Sequence, residues 1–326
     1  MIKRISILML ALVPTMLWAQ FAPAAGIAGT TAMHADSSAF VAWATGCTVE
    51  RGLQRIDKPN LGVANFGNET LALGVPGGTM DVVSLGDGGS AVLTFDSPIC
   101  NGAGPDFAVF ENGFANAQNP SMYFLEIGFV EVSSDGENFF RFPAISYVST
   151  ETQLGGSGCI DPVQIHNFAG KYEAMYGTPF DLDELEDNAL LDKSRVTHVR
   201  IVDVVGNIDP EYATYDSEGH PVNDPWPTPF GSSGFDLDAV GVIHDLAHFG
   251  VPESGDELIS LYPNPVRNVL NVKAKDLQSV EIYNLVGQQV MVTRDSVIDL
   301  SSLTEGIYFV RLVCDGKMIT KRIVKQ

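Results

Sequence analysis

Short apolar runs rich in β-branched and aromatic residues, separated by turn-forming residues, recur along most of the chain. Turn signals lie between these runs, for example at 86–89 and 135–136. Runs of this length between turn residues predict β-strands. Only the stretch 179–192 has a pattern compatible with a helix. Because strands follow one another without interleaved helices, we expect an all-β fold, a sandwich or jelly roll, over residues 26–243. The main predicted strand runs are 91–95, 107–110, 123–133, 196–205 and 239–243.

The first 20 residues follow a different pattern. Lys3 and Arg4 precede an apolar stretch at 7–18, and Ala19 offers the small residue that a signal peptidase needs. A membrane-spanning helix needs about 20 continuous apolar residues, whereas this stretch is shorter and contains Pro14. We therefore predict that residues 1–20 are a secretory signal peptide, and that the mature chain has no transmembrane anchor.

The distribution of charge predicts a domain boundary. Residues 21–255 contain 32 acidic and 8 basic side chains, whereas residues 256–326 contain 8 acidic and 9 basic ones. The change coincides with the turn-rich stretch 250–256, which is typical of a linker between independently folded units. We assign a large domain to 21–250, a linker to 251–260 and a small domain to 261–326. The negative charge of the large domain excludes a basic nucleic-acid-binding surface.

The small domain contains ordered motifs that alternate with predicted strands. They are Tyr-Pro-Asn-Pro at 262–265, Ile-Tyr-Asn at 282–284 and Gly-Ile-Tyr at 306–308. The segment closely resembles the type A C-terminal sorting domain of the type IX (Por) secretion system of Bacteroidetes. The resemblance implies a small immunoglobulin-like β-sandwich, recognition by the outer-membrane translocon, and delivery to the cell surface or the medium. The matching sorting-signal residues are Pro263, Asn264, Pro265, Gly287, Gly306, Tyr308 and Lys321.

Four further segments of the large domain, 84–114, 129–143, 197–205 and 234–243, carry a second resemblance. Together they resemble the galactose-binding-like, discoidin-type jelly rolls of bacterial cell-surface proteins. The resemblance implies a jelly-roll β-sandwich that binds a ligand, and some similar surface proteins are associated with glycan or vitamin capture.

Acidic residues near two of the predicted strands form a candidate calcium site. Calcium binds six to eight oxygens from carboxylates, amides and backbone carbonyls. Asp236 and Asp238 are two apart, so on a strand both carboxylates point to the same face. The alternative is that these groups cap turns and accept hydrogen bonds from loop backbone. The predicted ligands are Asp106, Glu111, Asn112, Asp236 and Asp238.

A proline-rich loop at 223–230 offers an aromatic side chain for ligand binding. Trp226 lies between two prolines that stiffen the loop, and Asn223 and Asp224 are adjacent polar groups. A rigid aromatic face beside polar groups suits the stacking of a sugar or another flat ligand. We predict that Trp226, Asp224 and Asn223 contact a ligand. The alternative interpretation is that Trp226 closes the end of the sandwich.

Catalytic motifs are weak by comparison. His244 and His248 have the i, i+4 spacing of a zinc helix, but they directly follow a predicted strand and precede a glycine and a proline. Cys47, Cys100 and Cys159 lie in the large domain and Cys314 in the small one. Because export permits disulfides, Cys47 and Cys100 are a candidate pair.

These patterns predict a secreted cell-surface binding protein that takes up a glycan or another small ligand with calcium support. Two alternatives stay open. One is a secreted glycan hydrolase that uses carboxylates such as Glu111 and Asp236. The other is a protein that captures corrinoids or other vitamins beside an outer-membrane transporter.

Overall fold

The computed structural model describes residues 21–248, 260–274, 277–284, 287–314 and 317–326. The chain divides into two compact units, Met1–Leu246 and Ala247–Gln326. The predicted signal peptide, 1–20, lies outside the described residues, as does the predicted linker up to residue 259. No helix in the described ranges is long and apolar enough to cross a membrane.

The large unit is built from β-strands and four single 3-10 turns, and its described residues contain no α-helix. The 3-10 turns are Pro59–Leu61, Glu69–Ala72, Pro162–Gln164 and Leu182–Glu184. The strands are β1 (Met33–His34), β2 (Ala42–Trp43), β3 (Gly46–Glu50), β4 (Val83–Ser84), β5 (Ser90–Ile99), β6 (Phe107–Glu111), β7 (Phe114–Asn116), β8 (Asn119–Phe124), β9 (Gly128–Ser133), β10 (Phe140–Arg141), β11 (Ile145–Ser146), β12 (Ile165–His166), β13 (Tyr176–Phe180), β14 (Val196–Asp203) and β15 (Asp236–Val242).

Two antiparallel sheets form the body of this unit. One has the order β1-β13-β6-β15-β2, with β4 also paired to β15, and the other has the order β10-β9-β14-β5-β3. Two short hairpins, β7-β8 and β11-β12, lie outside these sheets. The predicted all-β class is confirmed. The jelly-roll connectivity implied by the resemblance stays a prediction.

The two sheets share one hydrophobic core. Val130, Val199 and Leu93 belong to the five-stranded sheet, and Phe107 and Val240 belong to the other. Their alternation with residues on the opposite face follows the two-residue period of a strand. Strands β6 and β15 are buried along their whole length because both of their faces are covered. The molecule therefore has the core of a β-sandwich.

The predicted helix at 179–192 is wrong. Pro179 belongs to β13, where it pairs with Ala108 of β6, and one 3-10 turn at Leu182–Glu184 follows. The Asp181 side chain accepts a hydrogen bond from the Asp183 amide and caps this turn. The chain then continues to β14 without a further helical turn. Strand pairing with β6 has thus overridden the local helical pattern.

The small unit is an antiparallel β-sandwich with its own core. Its strands are β16 (Ser260–Tyr262), β17 (Val269–Lys273), β18 (Leu277–Asn284), β19 (Gln289–Thr293), β20 (Val297–Asp299), β21 (Gly306–Cys314) and β22 (Lys317–Lys325). A three-stranded sheet has the order β16-β17-β20 and a four-stranded sheet the order β19-β18-β21-β22. Leu270, Ile282, Val310, Leu312 and Ile323 are fully buried between them. The predicted small sandwich is confirmed.

All four cysteines are free thiols, so the candidate pair Cys47–Cys100 is not formed. Cys47 lies opposite Leu93 on β5, whereas Cys100 follows the end of the same strand. Seven residues of extended chain span about 20 Å, far beyond the reach of a disulfide. Burial raises the pKa of Cys47 to about 12 and that of Cys100 to about 11, which keeps both thiols protonated.

Candidate acidic site

The antiparallel register brings several strand ends to one end of the large sandwich. Glu111, at the end of β6, lies opposite Leu237 near the start of β15. Asp203, at the end of β14, lies opposite Gly128 at the start of β9. The two sheets meet here, because the Phe235 amide just before β15 donates a 2.7 Å hydrogen bond to the Asp203 carboxylate.

Seven buried carboxyl groups collect at this end, which we call the acidic end. None of these residues is more than 6% exposed. Water therefore provides little screening of the repulsion between them, and each carboxyl needs a hydrogen-bond donor, a cation or a proton. The acidic end consists of Asp87, Glu111, Glu126, Asp203, Asp224, Asp236 and Asp238.

Asp203 and Asp238 accept hydrogen bonds from pairs of backbone amides. Asp203 binds the amides of Gly88 at 2.8 Å and Phe235 at 2.7 Å. Asp238 binds the amides of Gly77 at 2.8 Å and Gly78 at 3.1 Å. These contacts satisfy donors of the loops that cross the end of the sandwich. The two groups therefore have a structural role whatever else the site does.

Asp87 and Asp224 also hold loops. Asp224 accepts a 3.2 Å hydrogen bond from the Ile127 amide, at the approach to β9. Asp87 accepts hydrogen bonds from the Ile56 amide at 2.8 Å and from the Trp226 indole nitrogen at 2.9 Å. Burial raises the pKa of Asp87, whereas these two donors lower it.

Glu111, Glu126 and Asp236 form the inner part of the acidic end. Glu111 accepts a 2.7 Å hydrogen bond from the Gly113 amide on Oε2, but its Oε1 has no partner. Oε1 of Glu126 is also buried and without a partner. Asp236 is better satisfied, because it accepts hydrogen bonds from the Ser84 hydroxyl and, at 3.0 Å, from the Asn112 amide.

The pKa values show how these charges interact. Burial raises the pKa of Glu126 well above its ordinary value, and the charges of Asp236, Glu111, Asp224 and Asp203 raise it further. Burial and then Asp236 raise the pKa of Glu111 in the same way. The carboxyl of Glu126 therefore interacts with groups from both sheets. We treat Glu126 as the centre of the site.

Nearby basic side chains do not neutralise the site. The guanidinium of Arg51 donates to the backbone carbonyls of Phe66 and Gly67, each at 2.8 Å. The Arg55 guanidinium pairs with Asp57 and lies 5.0 Å from the ring centre of Trp226. Among the described residues, no ion pair includes a carboxylate of the acidic end. The described residues also contain no group of three or more His, Cys, Asp or Glu side chains that could hold a metal ion in this arrangement.

The five predicted calcium ligands do not all lie together. Asp106 precedes β6, whereas Glu111 ends it, and five residues of strand separate them by about 16 Å. Asp106 accepts hydrogen bonds from the amides of Gly102 at 2.7 Å and Leu182 at 2.8 Å, and contacts His244 Nδ1 at 2.8 Å. The structure therefore does not bring Asp106 together with the other predicted ligands.

Of the other predicted ligands, Glu111, Asn112 and Asp236 share the inner part of the acidic end. Asp238 is on the same strand as Asp236, but the pairing register with β6 shifts between Leu237 and Ala239, and the Asp238 carboxylate holds another loop. Glu126 was not predicted. A charged residue inside the apolar run 123–130 is the sequence signal that could have identified it.

The aromatic loop is folded inward. Trp226 is only 9% exposed, so the expectation of a presented indole is corrected and the packing alternative fits its position. Asn223 is fully buried and accepts a 3.0 Å hydrogen bond from the Leu154 amide. Its amide group donates to the carbonyls of Ser149 and Thr152. The side chains of this loop therefore fix neighbouring loops around the acidic end.

Replacement of Trp226 by alanine is expected to lower the free energy of unfolding by about 3–5 kcal/mol, the usual cost of removing a buried tryptophan. The change also leaves the Asp87 carboxylate without its indole donor. Urea unfolding measures the difference. Phe230→Ala is the control, because Phe230 is in the same loop but mainly exposed. A loss below about 1 kcal/mol in Trp226→Ala would contradict the packing role.

Asn264, in the first of the sorting-signal motifs, joins the first strand of the small unit to its last. Asn264 donates a 3.0 Å hydrogen bond to the Arg322 carbonyl and accepts one of 2.9 Å from the Val324 amide, both on β22. Tyr308 is buried in β21 and its hydroxyl donates to the Thr304 carbonyl at 2.9 Å. Pro263 and Pro265 flank Asn264, Lys321 is on β22, and Gly287 adopts a positive φ of 77°.

Comparison with known proteins supports the resemblance found in the sequence of the small unit. Residues 260–326 match the family model described as "Secretion system C-terminal sorting domain". One curated relative is Beta-agarase D of Zobellia galactanivorans, which is 30% identical over 97 residues. That match includes 28% of this chain, and the chain covers 20% of the length of the relative. Residues 260–326 are thus a secretion-system C-terminal sorting domain, and the protein is cargo of type IX secretion that is exported to the cell surface or beyond.

Proposed function

We propose that the large unit is an extracellular binding module whose acidic end takes up a calcium ion. The observation that carries the proposal is the pair of buried, unpartnered carboxylate oxygens, Glu111 Oε1 and Glu126 Oε1. A buried acceptor without a donor costs about 1–3 kcal/mol, and more when it is charged. A cation between these groups removes that cost and the repulsion among their neighbours.

The donor set suits calcium better than a transition metal. Glu111, Glu126 and Asp236 provide carboxylate oxygens, and Asn112 adds an amide group beside them. Calcium prefers hard oxygen ligands and tolerates flexible geometry, and the proposal requires these side chains to move together around the ion. Extracellular modules bind calcium with dissociation constants of about 10⁻⁴–10⁻³ M. The exported location of the protein is consistent with that range.

Protonation is the competing way to satisfy the same groups. If Glu111 and Glu126 were protonated, each carboxyl would be able to donate one hydrogen bond and would carry no charge to repel the neighbouring carboxylates. Calcium and protonation predict opposite responses to the substitution Glu126→Gln. A glutamine keeps the shape and the neutral charge of a protonated carboxyl, but it removes a charged calcium ligand.

Calcium at 1–5 mM, on the order of the upper binding range of extracellular modules, is expected to raise the melting temperature of the mature chain relative to a chelator. The rise should disappear in Glu126→Gln. The control is Glu131→Gln, a buried glutamate on β9 that pairs with Arg141 and Arg200 instead. This control should lose stability and keep the calcium response. A Glu126→Gln protein that is more stable than the parent, in a chain without any calcium response, would establish protonation and refute the proposal.

We further infer that the ligand is a glycan, and that the protein binds it without hydrolysis. Support comes from export to the cell surface and from the similarity to a protein named an agarase. The hydrolase alternative needs Glu111 and Asp236 in contact with substrate. These side chains are 1% and 6% exposed and lie behind the loops at the end of the sandwich. A polymer cannot reach such groups, which favours binding.

A further inference from the structure

A stacked pair of phenylalanines, one of them exposed, lies beside the acidic end. Phe114 of β7 lies directly opposite Phe124 of β8 in the hairpin register. Their rings are stacked, with centroids 5.1 Å apart and planes 14° apart. Phe124 is half-buried, whereas Phe114 is 55% exposed. Phe114 therefore keeps an accessible surface while its partner fixes its orientation.

The same hairpin is tied to the inner carboxylates. The Gly113 amide, immediately before Phe114, donates its hydrogen bond to Glu111. The residue before Gly113 is Asn112, and its amide group donates hydrogen bonds to Asp236 at 3.0 Å and to the Thr79 carbonyl at 3.1 Å. Thr79 precedes Met80, another strongly exposed apolar side chain. Two loops with exposed apolar residues are thus held by the groups that we propose as calcium ligands.

We propose that Phe114 is the platform on which the protein stacks a sugar ring of a neutral glycan. This inference deepens the proposed function and rests on its glycan-binding part. The exposed ring offers an apolar face at low entropic cost, since stacking on Phe124 already restricts its rotamer. The apolar C–H face of a pyranose matches such a ring, and the sugar hydroxyls stay hydrated.

Charge selects a neutral polymer over an acidic one. Residues 21–255 contain 32 acidic and 8 basic side chains. The acidic end lies directly behind the platform, and like charges repel over about 8–10 Å at moderate salt. A uronate or sulfate polymer would meet this repulsion without a basic partner, whereas a neutral one would not.

A second copy of the chain is a less suitable occupant. A stable protein interface buries about 1,200–2,000 Å². One exposed phenylalanine provides the anchor of such an interface but not its area. A single sugar ring needs no larger surface than the face of this ring offers.

Affinity electrophoresis of the mature chain tests the inference, with agarose, starch and laminarin as neutral polymers and alginate and pectate as acidic ones. We expect retardation by at least one neutral polymer and by neither acidic one. Phe114→Ala should weaken that binding at least tenfold. The controls Phe230→Ala and Leu190→Ala remove equally exposed apolar side chains from other loops and should bind as the parent does.

The melting temperature with and without calcium separates this inference from the calcium proposal. Phe114→Ala should keep the full calcium response, because its side chain contributes no oxygen ligand. Unchanged retardation in Phe114→Ala would overturn the platform. Retardation by no neutral polymer, or a shift from dimer to monomer in Phe114→Ala by sedimentation, would also overturn it. A calcium response that persists in those cases leaves the cation site standing.

Discussion

Deletion of residues 260–326 is expected to stop the protein from crossing the outer membrane, so that the remaining chain accumulates in the periplasm. The deleted residues are the whole match to the sorting-domain family. They fold as a separate unit with its own core, so their removal should leave the large sandwich intact. Cell fractionation with immunodetection in the native host measures the outcome, and a drop of at least tenfold in the extracellular and surface fractions is expected.

A point variant distinguishes loss of the signal from loss of chain length. Asn264→Ala removes both hydrogen bonds that join the first motif to β22 and should reduce export. Phe114→Ala, an exposed change in the large unit, should be exported normally. If the truncated chain reached the outside at the parental level, residues 260–326 would not be the export signal.

The free energy of unfolding of the mature chain, measured in a chelator, is expected to fall as the pH rises from 4 to 7. Burial raises the pKa of Asp236 and of Asp238 from 3.8 to about 6. A carboxyl whose pKa is higher in the folded protein stabilises it fully below its unfolded pKa, and this contribution is lost as the pH passes the folded value. Each of the two groups accounts for about 3 kcal/mol at 1.36 kcal/mol per pH unit.

Other groups set the size of this fall. The raised pKa values of Glu111, Glu126, Asp203 and Asp224 add to it. Groups with lowered pKa values, such as Asp57 and Asp216, change their contribution mainly below pH 4 and therefore oppose this fall little. The charge of Arg51 also lowers the pKa of Asp236, but by less than the hydrogen bonds from Ser84 and Asn112 do. The net result should be a loss of several kcal/mol.

Urea unfolding at pH 4, 5, 6 and 7 measures this dependence. The control is Glu126→Gln, which removes one titrating group from the centre of the site and should flatten the curve. Calcium should flatten it as well, because the ion favours the ionised carboxylates. Stability that rises steadily from pH 4 to pH 7 in the chelator would show that the buried carboxyls are satisfied in their charged form.

The sequence predicted the positions of the strands better than it predicted which side chains from different strands lie together. The strand at 107–110 was predicted because its apolar run is short and turn residues bound it, and β6 matches it within one residue. The same short-range pattern grouped Asp106 and Glu111 as ligands of one calcium site, whereas the extended strand β6 separates them. Strand register, which depends on pairing with β13 and β15, decides which carboxylates meet.

Long-range partners explain the remaining differences. The burial of Trp226 depends on Asp87, which lies 139 positions earlier in the chain. The role of Glu126 depends on charges from both sheets. No local pattern contains that information. The sorting domain is the opposite case, because its motifs identify the family directly.

The binding of calcium at the acidic end is tested most directly by equilibrium dialysis of the mature chain against radioactive calcium at pH 7. We expect one ion per chain with a dissociation constant of about 10⁻⁴–10⁻³ M. Binding should be lost in Glu126→Gln and kept in Glu131→Gln. Binding of no ion by the parent chain, or equal binding by the parent and Glu126→Gln, would show that the acidic end is not a calcium site.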